Sequence, residues 1–354
     1  MGIVNGKIWN TGGVIRVEKV KIYDLSQCPL SPKNGLYGGA AGSKEGIIIN
    51  NEFWLIKFPK NTKSMRNVDI SYTNSPLCEY IGSHIYEILG YKTHKTILGV
   101  RNDKLVVACK DFTDPNTMLA EIRTIKNYVN EELSEKLGVE LDETGSNHFV
   151  DLPTLMIHIE NNPILKALPN LEQHFFEQMI IDVYINNSDR NNGNWGVLRH
   201  FDGSPDVIAP VYDNGGSFQN KLSKQKAQKQ LQNKEMLVKN ACSARTVYVD
   251  SEEKTYSPKR LFEDVSAKYP AFNSAINKVV PLIKERHEQI LSFIDSIPEH
   301  VITKDKKGID KQIDILTPGI REVFEIQLSS RLDNLLIPQY EKVKKKEKEF
   351  VPEM

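Results

Sequence analysis

The sequence predicts an α+β protein in two lobes, a mainly β amino-terminal lobe followed by a mainly helical carboxy-terminal lobe. The first 112 residues contain two pairs of short apolar runs, each pair joined by a tight polar turn, as in β-hairpins. Later stretches such as 171–185, and 271–297 with an interruption around Pro281, have helical spacing. A chain of 354 residues fits about two domains, which we place at 1–112 and 113–354.

Composition excludes several classes of protein. Lys plus Arg equals Asp plus Glu at 46 each, so no charge excess favours direct binding of nucleic acid. The four cysteines have no C-x-x-C spacing and are typical of reduced thiols, and the eight histidines are scattered. No apolar run reaches the roughly 20 residues of a membrane span. We expect a cytoplasmic protein, or one exported without a classical signal peptide.

A glycine-rich turn, G-G-A-A-G-S-K, opens into the first hairpin, and Lys57 lies inside the second strand of that hairpin. Backbone N–H groups of such a turn approach phosphate oxygens, and a lysine beside them supplies positive charge. The residues of this candidate phosphate site are Gly38, Gly39, Ala40, Gly42, Ser43, Lys44 and Lys57. The alternatives are a flexible turn, because the full G-x-G-x-x-G pattern is absent, and a lysine on the solvated side of a strand.

The next predicted helix carries a candidate partner for Lys57. Ser75 can cap this helix, and apolar residues then recur along one face. Glu79 follows Lys57 by 22 residues, and an ion pair between them would hold the lysine against phosphates. A solvated helix glutamate is the alternative reading of Glu79, and Glu87 is the fallback partner.

Three side chains in the stretch 186–215 match what phosphoryl transfer from a metal-bound nucleotide requires. Asp189 and Asn194 lie five residues apart, the interval in the H-R-D-x-x-x-x-N loop of protein kinases, and Asp213 follows a short predicted hairpin. One carboxylate would accept the proton of the attacking hydroxyl, while an amide oxygen and a second carboxylate would hold Mg²⁺. A polar turn of ordinary composition is the alternative.

Several segments in this order resemble the HipA-like kinases, particularly the compact bacterial Ser/Thr kinases of the CtkA type. The resemblance spans most of 36–218 and includes F-W-L-I-K-F-P, N-N-S-D-R-N-N-G-N-W-G-V-L and I-A-P-V-Y-D-N-G-G. The D-R-x-x-x-N loop also resembles that of phosphatidylinositol 3- and 4-kinases, which share the fold. The resemblance therefore implies a two-lobed protein-kinase-like fold with ATP and Mg²⁺ as cofactors.

The resemblance also implies roles for individual residues. Asp189 corresponds to the catalytic aspartate, and Asn194 and Asp213 to the Mg²⁺ ligands. Lys57 and Glu79 correspond to the ATP-phosphate lysine and its helix glutamate. The hinge between lobes would then offer backbone groups to adenine, at Ala108, Cys109 and Lys110.

Two departures from the family pattern stand out. Asn191 occupies a position where relatives usually have His, and the triplet that resembles D-F-G is Asp213-Asn214-Gly215. The serine that HipA phosphorylates on itself also has no clear counterpart, although Ser43 is a local candidate. Neither departure removes a predicted ligand. The basic stretch 221–239 is read as a solvated helix or mobile loop, or alternatively as a docking surface for acidic segments.

The function predicted is that of a bacterial, ATP- and Mg²⁺-dependent Ser/Thr protein kinase with an unknown protein substrate, cytoplasmic or exported to a host. Autophosphorylation stays open. One alternative is a kinase for a small molecule or lipid headgroup. Another is a toxin-like nucleotide-binding module under the control of a regulatory partner.

Overall fold

A computed structural model describes residues 18–34, 43–141, 149–304 and 308–349. Strands gather in the first part of the chain and helices in the second, so the predicted α+β class is confirmed. The strands are β1 (Tyr23–Asp24), β2 (Lys44–Ile49), β3 (Glu52–Lys57), β4 (Thr96–Arg101), β5 (Lys104–Lys110), β6 (Thr117–Glu121), β7 (Val150–Asp151), β8 (Gly196–His200), β9 (Val207–Ile208), β10 (Tyr248–Val249), β11 (His300–Lys304) and β12 (Asp310–Asp314).

The helices enclose the larger core. They are α1 (Ser75–Ile88), α2 (Ile122–Leu137), α3 (Leu152–Asn161), α4 (Pro163–Lys166), α5 (Leu171–Ile185), α6 (Lys224–Leu231), α7 (Lys234–Ala241), α8 (Pro258–Lys268), α9 (Pro270–Asp295), α10 (Pro318–Arg331) and α11 (Ile337–Glu349). A π-helical segment, Leu332–Leu336, joins α10 to α11.

Five strands form the amino-terminal sheet, in the order β1-β4-β5-β3-β2. β1 runs parallel to β4, and the other neighbours are antiparallel. Both predicted hairpins are present, with two-residue turns in which φ is 50° and 61° at Asn50 and Asn51, and 51° and 58° at Asn102 and Asp103. Asn and Asp tolerate this left-handed conformation, which matches the twist of the flanking strands.

The central strand β5 is buried on both faces. On one face Ala108 packs with Ile47 and Ile56. On the other face Val107 joins a larger apolar cluster that includes α1, α5 and α9. Helix α1 therefore packs against the sheet and against the helical lobe within one continuous core.

Helix α5 lies at the centre of the helical lobe, and every residue from Phe175 to Ile185 is buried. It packs along α9, where the rings of Phe176 and Phe272 meet edge to face with centres 5.4 Å apart. Its polar residues Gln178 and Asp182 are buried together with its apolar ones. The loop that follows Ile185 therefore starts from a fixed position.

The predicted interruption at Pro281 is wrong, because α9 runs unbroken from Pro270 to Asp295. A proline inside a helix removes one backbone hydrogen bond and favours a kink. Its neighbours Val280 and Ile283 are fully buried, however. Their packing against the core holds the helix together through the proline.

A second difference concerns Met118–Leu137, whose amphipathic pattern predicts one helix. Its first residues instead belong to β6, which pairs with β8 so that Leu119 lies opposite Leu198, and α2 begins only at Ile122. A local pattern does not reveal a strand partner some 80 residues away, and tertiary pairing overrides helix propensity here.

Alternating β-branched residues over 14–23 predict a strand, or two short strands, but the strand that forms is shorter. Residues 14–17 lie outside the described residues, and only Tyr23–Asp24 pairs in the sheet. Val20 instead donates its N–H to the carbonyl of Ser296 at 2.9 Å. This segment is therefore held partly by the end of α9.

The basic stretch 221–239 forms two helices, α6 and α7, which pack on α10. Within the described ranges, no helix is long and apolar enough to cross a bilayer.

The close approach of β6 and β8 predicts that Gly196→Ala destabilises the fold. A methyl group there would lie 2.4 Å from the carbonyl oxygen of Ala120, a backbone atom fixed by strand pairing. We expect the free energy of unfolding, measured by urea denaturation, to fall by about 2–3 kcal/mol. The matched control is Gly319→Ala in the first turn of α10, where the nearest atom would be 3.8 Å away. That change should stay within about 1 kcal/mol, and equal losses in both variants would contradict the steric argument.

Candidate active site

Lys57, at the end of β3, points into a cluster of buried charges. Its Nζ lies 3.1 Å from Oε1 of Glu79 on α1 and also contacts the carboxylate of Asp213. Burial alone would lower the pKa of Lys57, but Asp213 and Glu79 outweigh burial and hold that pKa above its usual range. The fold thus joins a strand lysine, a helix glutamate and a loop aspartate that are distant in sequence.

The same cluster keeps both carboxylates ionised. Burial alone would raise the pKa of Glu79, but Lys57 and His94 hold it below its usual range, and Nε2 of His94 is 3.0 Å from Glu79 Oε1. Burial would likewise raise the pKa of Asp213, and the Lys57 ammonium outweighs that effect. Glu87, the fallback partner for Lys57, is exposed.

A second lysine lies beside Lys57. Lys44 on β2 is directly opposite Lys57 in the strand register. Two positive charges in opposed positions destabilise a sheet. An anion bound between Lys44 and Lys57 would relieve this repulsion. Ser43 precedes Lys44, and its carbonyl accepts the N–H of Phe58 at 3.0 Å. The other predicted loop residues, Gly38, Gly39, Ala40 and Gly42, lie outside the described residues.

Asp189 lies in the loop that follows α5, residues 186–195, here called the first loop. Asn191 Nδ2 donates to Asp189 Oδ1 at 3.1 Å, while Asn191 Oδ1 accepts the N–H of Gly193 at 2.9 Å. The side-chain amide of Asn194 donates to the carbonyl oxygen of Asp189. Because the nitrogen of that amide is used in this way, the oxygen of Asn194 is the atom offered to a cation.

Asp213 lies in a second loop, residues 209–218, and has a left-handed backbone with φ of 56°. Gly216 brings the second loop against the first, since an added Cβ there would be 2.6 Å from the Cβ of Asp189. Gly82 on α1 approaches the second loop from another side, and an added Cβ would be 2.8 Å from the Cβ of Asn214. These close approaches need glycine, because any side chain would force the elements apart.

The residues that the two loops bring together fit a magnesium site. Asn194 and Asp213 offer an amide oxygen and a carboxylate oxygen, the hard ligands that Mg²⁺ prefers. The contact between Gly216 and Asp189 places the two loops side by side, and the orientation of Asn194 presents its oxygen.

Arg190, whose role no sequence pattern predicts, lies between the two loops. It is 2% exposed, and its Nε donates to Asp182 Oδ2 on α5 at 2.9 Å. Its other nitrogens donate to the carbonyl of Asn194 at 2.7 Å, to the carbonyl of Tyr212 and to the side-chain oxygen of Asn214. One buried side chain therefore ties α5 to both loops. The only feature of the sequence that could have indicated this role is that Arg190 directly follows Asp189.

The backbone groups predicted to bind adenine, at 108–110, are already paired in the sheet. β5 lies between β3 and β4, so that Ala108 is opposite Ile56 on one side and Ile97 on the other. The N–H of Asp111 continues this pairing by donating to a carbonyl of β3 at 2.9 Å. Much of this backbone therefore takes part in strand pairing, and the adenine contacts of Ala108, Cys109 and Lys110 stay a prediction.

A buried lysine–glutamate pair, under a mainly β lobe and beside two loops that carry aspartates, defines the class of kinase-like folds. No family model matches the chain. The solved structure of the Helicobacter pylori proinflammatory kinase CtkA matches it with a TM-score of 0.74 and 26% identity, over 92% of this chain and 98% of that one. The Shewanella oneidensis HipA–HipB–operator complex contains a chain that matches with a TM-score of 0.47 and 12% identity, over 88% and 70%.

A curated relative agrees with the structural match. The serine/threonine-protein kinase CtkA of Helicobacter pylori is 35% identical over 192 residues, which is 54% of this chain and 54% of the relative. The alignment thus spans about half the length of that relative. The chain is therefore similar to CtkA in sequence and in fold, which confirms the resemblance to CtkA-type kinases seen in the sequence.

The burial of the Arg190–Asp182 pair predicts that Asp182→Asn is strongly destabilising. The substitution keeps the shape but leaves a buried guanidinium without its counter-charge, which costs about 3–5 kcal/mol. Urea denaturation at neutral pH measures this loss. Glu322→Gln is the matched control, because it breaks an exposed ion pair with Lys234 at 2.7 Å and should cost less than about 1 kcal/mol. A loss for Asp182→Asn as small as the control's would contradict the role given to Arg190.

Proposed function

We propose that the chain is an ATP- and Mg²⁺-dependent serine/threonine protein kinase. The observation that carries the proposal is the ion pair of 3.1 Å between Lys57 and Glu79, with Asp213 in contact with the same lysine. This arrangement places a fixed positive charge beside a metal-type carboxylate, as transfer of a phosphoryl group requires. The relationship to a serine/threonine-protein kinase supports protein as the substrate.

Each residue then has a defined task. Asp189 accepts the proton of a substrate hydroxyl as its oxygen bonds to the γ-phosphorus and the bond to the β–γ bridging oxygen breaks. Lys57, with Lys44 opposite it, neutralises charge on the phosphate oxygens. Asn194 and Asp213 would hold Mg²⁺, which when bound offsets the negative charge of the nucleotide phosphates. Glu79 keeps Lys57 in place.

We also propose that the lobes meet near residues 112 and 113. β5 ends at Lys110, and the chain after Asp111 leaves the sheet before β6 begins at Thr117. Backbone groups of this crossing segment, together with those of 108–110, are the ones we assign to adenine.

Labelled phosphate transfer tests the proposal. With Mg²⁺ and γ-labelled ATP, the protein should label itself or a generic protein substrate, and Asp189→Asn should reduce the rate by about 10²-fold to 10⁴-fold. Asp213→Asn should also abolish transfer, because it removes a metal ligand. Asp202→Asn is the matched control, since it removes a carboxylate exposed between β8 and β9.

The outcomes of this assay separate the alternatives. Equal activity in the Asp189→Asn and control proteins would reject the assigned base. Label that enters lipid or metabolite extracts, but no protein, would make the chain a small-molecule or lipid-headgroup kinase. Binding of ATP without transfer to any acceptor would support a nucleotide-binding module that depends on a regulatory partner.

Asn191 gives a prediction about pH. Its amide holds Asp189 at 3.1 Å and carries no titratable group, so Asn191→Ala should lower kcat with little change in the KM for ATP. Asn191→His should restore part of the lost activity and add a dependence on pH centred near about 6.5, the usual imidazole pKa. The kcat profile between pH 5.5 and about 8 measures this effect. An unchanged kcat in Asn191→Ala would contradict the proposal that Asn191 positions Asp189.

A further inference from the structure

We propose that Glu79, His94 and Cys109 form a binding site for Zn²⁺, and that Zn²⁺ at this site competes with Lys57. The three residues come from α1, from the segment before β4 and from β5. Each offers a ligand atom, and these atoms all lie within 4.8 Å of one another. The site is separate from the oxygen ligands of the two loops.

The donor set selects the metal. A thiolate, an imidazole nitrogen and a carboxylate oxygen are the ligands of zinc sites, whereas Mg²⁺ takes oxygen ligands alone. Three protein ligands with water in the fourth position are a common zinc arrangement. The chemistry therefore favours Zn²⁺, and Co²⁺ as its spectroscopic substitute.

The geometry needs only small adjustments. Zn–S and Zn–N distances of about 2.3 and 2.0 Å place tetrahedral ligands roughly 3.3–3.6 Å apart. The carboxylate of Glu79 and the ring of His94 are already 3.0 Å apart. Ser83 Oγ now lies 3.2 Å from the same ring nitrogen of His94, and this hydrogen bond would be given up when the nitrogen binds the ion.

Burial makes the cluster more than a chance grouping. Glu79, His94 and Cys109 are 1%, 4% and 3% exposed. Exposed acidic groups gather often without any ligand, but buried metal-ligand types cost free energy to desolvate and are seldom clustered without a partner. In the described structure the charge that balances Glu79 is Lys57, which borders the phosphate site.

Competition follows from a shared atom. Lys57 Nζ and His94 Nε2 both approach the same oxygen of Glu79, at 3.1 and 3.0 Å. A divalent ion bound to that oxygen would displace the ammonium group and repel it. If the proposed function holds, zinc binding would inhibit phosphoryl transfer by taking away the partner that positions Lys57.

Cobalt absorption tests the site without any need for catalytic activity. Co²⁺ should be added with excess Mg²⁺, which occupies the oxygen site, and a thiolate-to-cobalt charge-transfer band in the near ultraviolet should appear at one equivalent. Addition of Zn²⁺ should remove the band by displacing cobalt. No thiolate band, or a band that Mg²⁺ abolishes, would reject the site.

Substitutions locate the ligands. Cys109→Ser should remove the band and weaken Zn²⁺ binding by at least about tenfold, and His94→Gln should weaken it similarly. Cys78→Ser is the matched control, because Cys78 is also fully buried and lies next to Glu79 in sequence but outside the ligand group. Equal Zn²⁺ affinities in the Cys109 and Cys78 variants, each confirmed as folded by circular dichroism, would overturn the assignment.

Lys57→Met gives the opposite result if the competition is real. Without the ammonium group, Glu79 is free to bind the ion, so the affinity for Zn²⁺ should rise by about tenfold or more. Unchanged or weaker Zn²⁺ binding in Lys57→Met would contradict the proposal that Zn²⁺ competes with Lys57. Loss of transferase activity in this variant would bear only on the proposed function, because the Zn²⁺ titration does not depend on turnover.

Discussion

The buried ion pair between Arg190 and Asp182 is the interaction on which the arrangement of the site depends. A guanidinium and a carboxylate withdrawn from water cost several kcal/mol each, and only a nearly complete set of hydrogen bonds repays that cost. Here the set is supplied by separate elements: Arg190 bonds Asn194 and Asn214 in the two loops, while Asp182 accepts the hydroxyl of Tyr86 on α1 at 3.0 Å. The pair is stable only when both loops and both helices are in place, so the site forms as one unit.

Helix α1 extends the same network to the sheet. Glu79, Ser83 and Tyr86 recur at the spacing i, i+4, i+7, which places them along one face of the helix. Glu79 contacts Lys57, and Ser83 accepts a hydrogen bond from the side chain of Asn214 at 2.9 Å. Tyr86 donates its hydroxyl to Asp182. A polar stripe on an otherwise buried helix thus aligns the lysine with both loops, and it explains why buried polar groups are tolerated there.

The sequence predicts those parts of the molecule that local chemistry determines. The hairpins follow from alternation and from Asn-rich turns, while the roles that the spacing assigns to Asp189 and Asn194 stay predictions. The roles of Arg190 and His94 were not predicted, because their partners are distant in the chain. A sequence also does not distinguish a buried charged residue from an exposed one. The helical start predicted at Met118 failed because β6 needs β8.

The anchoring of α1 also limits which motions are open to the molecule. Helix α1 shares one apolar core with α5 and α9, and Gly82 packs its backbone directly against the second loop. A rotation of this helix would expose that core to solvent and leave buried charges unpaired. Movement of α1 is therefore an unsuitable means of regulation. Strand β2 lies at the edge of the sheet and carries Lys44, so a signal that shifts this strand could move Lys44 while Lys57 and its partners stay in place.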